Sequence, residues 1–197
     1  MATHVSIIYH SVRGVVAEIA QEIAAGASEA GADVRLRRVN DTTAGDAPVA
    51  SVADVLWADA VVLGSPSRFG NVSAEYKQFI DSLGAPWHSG QLADKVYSGF
   101  TATSGLHSGH ESTLLAMMTT FHHFSGIVVA PGYSHPHKHV DGNPYGTSHC
   151  DHSGKVPMDA CTRAAARVQA ERVVRIADLI RTGTSMAAQS TGAAVSA

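Results

Sequence analysis

Apolar residues along the chain fall into two alternating rhythms. Short β-branched runs at residues 5–9, 34–39, 60–63, 96–102 and 127–130 read as strands. Between them lie stretches with apolar positions three or four apart. Residues 15–30 place Ile19, Ile23 and Ala27 on one helical face, with Gly31 to end it. Residues 73–83 do the same with Tyr76, Phe79, Ile80 and Leu83. Residues 111–124 do so with Leu114, Leu115, Met118 and Phe121, and residues 159–181 with Ala164, Val168, Val173, Ile176 and Ile180. Strands alternating with helices predict an α/β protein, a doubly wound five-stranded parallel sheet in the order 2-1-3-4-5 with helices on both faces. Arg35, Arg37 and Arg38 put the second strand at an edge, and the wholly apolar 60–63 run belongs in the centre. Residues 131–157 hold only Gly, Pro, His and Ser punctuation and read as a long functional or interface loop. One domain over 1–183 is expected. Residues 184–197, small and polar without periodicity, are expected to form a mobile tail.

Composition narrows the picture. With 197 residues, 45% of them hydrophobic, the chain can bury roughly 70% of its unfolded surface in one core. A net charge of -3 with no basic stripe argues against a nucleic-acid groove. The first apolar run is too short for a secretory signal, and no run of about 18 apolar residues is present to span a bilayer, so a soluble cytoplasmic protein is expected. Cys150 and Cys161 are read as thiols. Six of the twelve histidines crowd towards the end, at His123, His135, His137, His139, His149 and His152, but alternating histidines in an extended stretch point apart, and no metal is assigned.

In a sheet of this order, ligands sit beyond the carboxyl ends of the strands, between the first and third. Three loops meet there. After the first strand come Ser11, Val12, Arg13, Gly14, Val15 and Val16, a strand-to-helix turn suited to an anion at a helix N-terminus. After the third, Gly64 to Pro66 lead into Ser67, Arg68, Phe69, Gly70 and Asn71, a stiff polar loop carrying one flat apolar side chain. After the fourth come Thr103, Ser104, Gly105, Leu106, His107, Ser108 and Gly109, mostly small residues that let a ligand approach the main chain.

These motifs resemble the flavodoxin-like NAD(P)H:quinone oxidoreductases of the WrbA type. Their most specific parts are the loop at 64–71, Gly109-His110-Glu111-Ser112-Thr113, Thr119-Thr120 with His123, and Asn143-Pro144-Tyr145-Gly146. The resemblance covers roughly residues 3–182 and implies FMN as cofactor, with NADH or NADPH as donor and a quinone as acceptor. By analogy Ser11 to Val16 hold the FMN phosphate, Ser67 to Phe69 the ring and ribityl chain, and Thr103 to Gly109 the pyrimidine edge. His123 stands near the reactive part of the flavin, and Trp87 and Tyr133 line the substrate cavity. The family usually has an aromatic where this chain has Arg13, which leaves Arg13 to pair with the FMN phosphate or the 2′-phosphate of NADPH.

The chemistry asks for stacking, electrostatics and exclusion of side reactions. Backbone N–H groups of 104–109 suit the negative charge that reduction places near the flavin pyrimidine. Histidine is the side chain that exchanges a proton near neutrality, which gives His123 a role in protonating the quinone oxygen. Two-electron, ping-pong reduction follows from one aromatic slot serving donor and acceptor in turn. A flavodoxin-type electron shuttle is the alternative, though shuttles dock through a strongly acidic face that this chain lacks. The loop at 131–157 and the Trp87 loop are expected to be completed by a second subunit, giving a homo-oligomer, a dimer of dimers as the resemblance implies.

Overall fold

The computed structural model describes residues 2–195, with side chains through residue 187. Strand β1 (His4–Tyr9) pairs in parallel with β2 (Asp33–Arg38) on one side and β3 (Ala60–Pro66) on the other. Strand β4 (Val96–Thr103) follows β3, and β5 (Ile127–Val128) follows β4, which gives the expected order β2-β1-β3-β4-β5. The fifth position is shared. β5 pairs only with Val96 and Tyr97, and a sixth strand, β6 (Thr147–Cys150), pairs with Phe100 to Thr103 further along β4. The five-stranded expectation therefore becomes six strands, two of them end to end on one neighbour.

Helices α1 (Val15–Glu29) and α7 (Ala160–Val195) cover one face. The shorter α2 (Val52–Trp57), α3 (Ala74–Asp81) and α4 (Gly84–His88), with α5 (His110–His123), cover the other. Alternation along β1 feeds both layers. Val5, Ile7 and Tyr9 join the α1/α7 side and Ile8 the other, all essentially buried, and each such side chain stabilises the fold by about 1.5–3 kcal/mol. Gly26 brings α1 close to α7, since a Cβ there would lie 2.8 Å from the Arg167 Cα.

The arginines of β2 behave as an edge strand requires. Arg37 Nε donates to Asp54 at 3.0 Å, and the Arg35 guanidinium lies 4.0 Å over the Trp57 ring. α2 and α4, of six and five residues, are too short for periodicity to mark.

The segment expected to be a structureless loop contains α6 (Pro136–Asp141) as well as β6. β6 has no apolar alternation, yet Thr147 and His149 are buried. Gln169 Oε1 accepts from Thr147 N at 2.7 Å, and His149 Nδ1 stands 3.4 Å from Thr162 Oγ1. These polar partners on α7 replace the apolar packing by which strands are usually legible. α6 is held by Lys138 and Asp141, a buried ion pair with side chains 0% and 4% exposed. The last helix runs past residue 181 to Val195. Residues 184–195 of the expected tail thus have helical backbone, while 196 and 197 lie outside the described residues.

Candidate functional site

Beyond β1, His10 N donates to Gly64 O at 2.9 Å, which holds the ends of β1 and β3 together at the point where strand order reverses. The chain then turns into α1 through Gly14, whose φ of 95° is a left-handed conformation that favours glycine. No side chain caps α1, so its N-terminal N–H groups and the positive end of its dipole stay available. The buried Ser11 hydroxyl accepts from Gly14 N at 3.2 Å.

Loops 67–71 and 103–109 are stitched to each other. Ser67 N donates to Ala102 O at 3.0 Å, Ser67 Oγ donates to Ser108 O at 2.8 Å, and Thr113 Oγ1 donates to Ser67 Oγ at 2.9 Å. Arg68 and Asn71 exchange backbone hydrogen bonds at 2.7 and 3.0 Å, leaving Phe69 at the tip with φ 53° and its side chain wholly exposed. Gly109 has φ 89°, and a Cβ on it would stand 2.5 Å from the Gly70 Cα.

His110 locks the second of these loops. Thr103 Oγ1 donates to Gly105 O at 2.8 Å, so its oxygen accepts from His110 Nε2–H at 2.6 Å, with His149 O 3.3 Å from the same nitrogen. Burial pushes the His110 pKa down, against the upward pull of the His149 carbonyl and the Glu111 carboxylate. His10, buried beneath the turn, places Nδ1 3.0 Å from Thr43 Oγ1 and Nε2 3.6 Å from the Glu75 carboxylate. Its pKa is also lowered, by burial first, with Glu75 opposing.

The three loops enclose a cavity of about 110 Å³. Ser11, Val12, Arg13, Val15 and Val16 form one wall, Ser67 and Arg68 a second, and Thr103 and Ser104 a third. Gly14, Phe69, Gly70, Asn71 and Gly105, Leu106, His107, Ser108 and Gly109 belong to the same loops without lining it. Asp151, which sequence reasoning missed, completes the lining. Its carboxylate accepts from Arg13 Nη2 at 3.0 and 3.2 Å, and the same nitrogen donates to Ser104 Oγ at 2.7 Å. An arginine in an anion-binding turn was the only hint of such a partner, 138 residues away.

The other three candidates stand elsewhere in the chain. Trp87 Nε1 donates to His123 O at 2.7 Å, and the two line a separate, mainly apolar cavity of about 300 Å³ with Ile80, Leu83, Thr120 and Phe124. Tyr133 is half exposed, donates to Gly142 O at 3.2 Å and stacks on His139 at 5.2 Å between centroids. Contrary to the expectation that alternating histidines point apart, His135 and His137 stack at 5.0 Å between centroids at the start of α6, which is helical and not extended; among the described residues no group of three or more His, Cys, Asp or Glu is placed to hold a metal ion. Nor is any helix among them long and apolar enough to cross a membrane.

A doubly wound parallel sheet with an uncapped helix N-terminus at its switch point defines a flavodoxin-like protein. In agreement, the structure superposes on a WrbA-like flavodoxin from Agrobacterium tumefaciens with a TM-score of 0.72 at 24% identity, covering 90% of this chain and 99% of that one. It matches the Megasphaera elsdenii flavodoxin with a TM-score of 0.60 at 22% identity, covering 87% and 98%. Residues 3–140 match the model of the NADPH-dependent FMN reductase family, and the chain belongs to that family. A protein of Deinococcus radiodurans is 34% identical over 87% of this chain and 94% of its own length, and one of Azorhizobium caulinodans is 34% identical over 88% and 96%. Both carry the name NAD(P)H dehydrogenase (quinone).

Proposed function

We propose that this chain is a cytoplasmic, FMN-dependent NAD(P)H:quinone oxidoreductase that reduces quinones by two electrons in a ping-pong cycle. Family membership and the names of the relatives support the activity. The observation that carries the cofactor assignment is the uncapped N-terminus of α1 opening, beside the buried Ser11 hydroxyl and the Arg13 guanidinium, into a cavity at the switch point of the sheet. Free Cys150 and Cys161 accord with a reducing compartment.

These residues fit FMN. Ser11 to Val16 offer the phosphate a hydroxyl, helix N–H groups and a cation, with Gly14 opening onto empty space. Phe69, wholly exposed at its loop tip, offers the ring an apolar face. Loop 103–109 offers backbone N–H groups to the pyrimidine edge, and the neutral His110 fixes their direction. When bound, FMN supplies the redox chemistry, taking two electrons from NAD(P)H and passing them to a quinone.

In this reading residues 1–183 are the functional domain, and the catalytic face is completed by a second copy. Trp87, His123 and Tyr133 are kept as the groups that line the quinone slot, and in one protomer they lie apart from the flavin cavity. A partner copy brings them to it, which makes the enzyme a homo-oligomer, in the simplest form a dimer of dimers. There Trp87 and Tyr133 shield the slot from water and the His123 imidazole supplies a proton to the quinone oxygen.

Fluorescence titration with FMN tests the cofactor assignment. One FMN should bind per chain, and Ser11→Ala should weaken it by about tenfold; unchanged affinity would remove the phosphate assignment. Parallel double-reciprocal plots for NAD(P)H and quinone are expected, and intersecting lines would count against alternation at one slot.

A further inference from the structure

The Arg13–Asp151 pair spans the flavin cavity and does more than either residue's position in its loop requires. Asp151 is held from several directions. Its N donates to Thr103 O at 2.9 Å, its Oδ1 accepts from Ser153 N at 2.9 Å, and its carbonyl accepts from Lys155 N and Val156 N at 2.9 and 3.0 Å. Its side chain is 4% exposed, while that of Arg13 is 50% exposed. The fixed carboxylate therefore anchors a guanidinium that reaches from the α1 turn across to the opposite wall, with Ser104 Oγ as a second anchor. The bridge joins three segments far apart in sequence, at residues 13, 104 and 151.

Two consequences follow for any ligand with its phosphate at the α1 N-terminus. The first is charge. A buried carboxylate facing a phosphate would oppose binding, and Arg13 cancels it, so the pair adds no net charge while its Nε and Nη1, unbonded among the described residues, stay free to donate. The second is space. The Arg13 side chain, bonded to both Ser104 and Asp151, bridges two walls of this cavity. A nucleotide extended from the phosphate towards the Ser104 and Asp151 wall would meet that bridge.

We propose that the Arg13–Asp151 clasp is the specificity determinant that admits a flavin ending in a phosphomonoester and rejects one extended by a nucleotide. The inference rests on the FMN reading above and names the residues that select FMN over FAD at that site. Asp151 acts through Arg13 and is a positioning residue.

The test is equilibrium binding of FMN, FAD and riboflavin to the full chain by fluorescence titration, a readout independent of turnover. Arg13→Ala alone leaves a buried unpaired carboxylate and is a poor probe, so the double variant Arg13→Ala/Asp151→Ala, which removes both charges, is compared with the wild type. In the double variant the FMN-over-FAD affinity ratio should fall by at least about tenfold through tighter FAD binding, with riboflavin affinity within about threefold of wild type. Asp151→Ala, which leaves Arg13 anchored by Ser104 alone, should shift the ratio the same way by a smaller factor. A ratio that stays at the wild-type value in both variants, each folded by circular dichroism, overturns the proposal. Binding of no flavin by the wild type would overturn the FMN reading itself and the clasp with it, which distinguishes the two failures.

Discussion

The indole of Trp87 donates its hydrogen bond to the backbone carbonyl of His123 at 2.7 Å, and this single contact fixes where two candidate catalytic residues stand. α5 begins beside the proposed flavin cavity at His110 and runs fourteen residues, about 21 Å, ending at His123. Just beyond, Asp94 N donates to Ser125 O and Ile127 N to Lys95 O, at the amino end of β4. Within one chain the pair thus lies near the amino-terminal end of the strands, opposite the cavity.

Trp87→Ala should therefore separate cofactor binding from turnover. FMN affinity should remain within about twofold, while quinone reductase activity falls by at least about tenfold and assembly weakens, because in the proposed assembly Trp87 is an aromatic anchor at the interface, and such anchors carry much of its energy. Light scattering and steady-state rates on one preparation check this. Weakened FMN binding with unchanged assembly would place Trp87 in the flavin site of its own protomer.

Gly109→Ala should damage the flavin site directly. The new Cβ meets the Gly70 Cα at 2.5 Å and Ser67 Oγ at 3.1 Å, at a φ that disfavours a side chain, so loops 67–71 and 103–109 must part. Strain at such a position costs about 1–3 kcal/mol. FMN affinity is expected to drop by at least about tenfold, equivalent to about 1.4 kcal/mol. Wild-type affinity in the variant would show that these loops do not hold the flavin.

The strands and the three loops were legible because their signals are local. Apolar runs mark β1, β3 and β4, and Gly14, Gly70 and Gly109, all at positive φ, mark turns that other residues would strain. β6 was not legible, since the burial of Thr147 and His149 rests on Gln169 and Thr162 of a distant helix. Asp151 was invisible for the same reason, being meaningful only once β6 delivers it to Arg13. Motif resemblance grouped Trp87 and His123 with the flavin loops, and only the length of α5 reveals how far from those loops they lie in one protomer.

Lys138→Met should destabilise the fold by about 3–5 kcal/mol, because it leaves the buried Asp141 carboxylate without its partner. The double variant Lys138→Met/Asp141→Leu should recover most of that loss. Urea denaturation of the two variants checks it, and equal losses would mean the pair is not coupled.

Stability should depend on pH through His110. Burial lowers its pKa from 6.5 in the folded chain, so within the window between the lowered value and 6.5 the unfolded chain binds more protons. Stability contributed by this group is complete above that window and is lost as the pH falls through it. Gln at position 110 keeps an N–H donor for Thr103 and does not titrate. The melting temperature of His110→Gln should therefore fall less steeply than that of wild type between about pH 7 and about pH 5, the range in which histidines titrate. An unchanged slope would assign that dependence to other groups.

If the proposed function holds, the FMN-loaded protein reduces quinones at the expense of NAD(P)H. The most direct test of this is the rate of NAD(P)H oxidation by the purified, FMN-loaded chain before and after addition of p-benzoquinone, with hydroquinone measured as product. Oxidation should start with the quinone, form one hydroquinone per NAD(P)H consumed and disappear when FMN is removed. NAD(P)H oxidation that is absent, or that proceeds at the same rate with and without quinone, would contradict the proposed function.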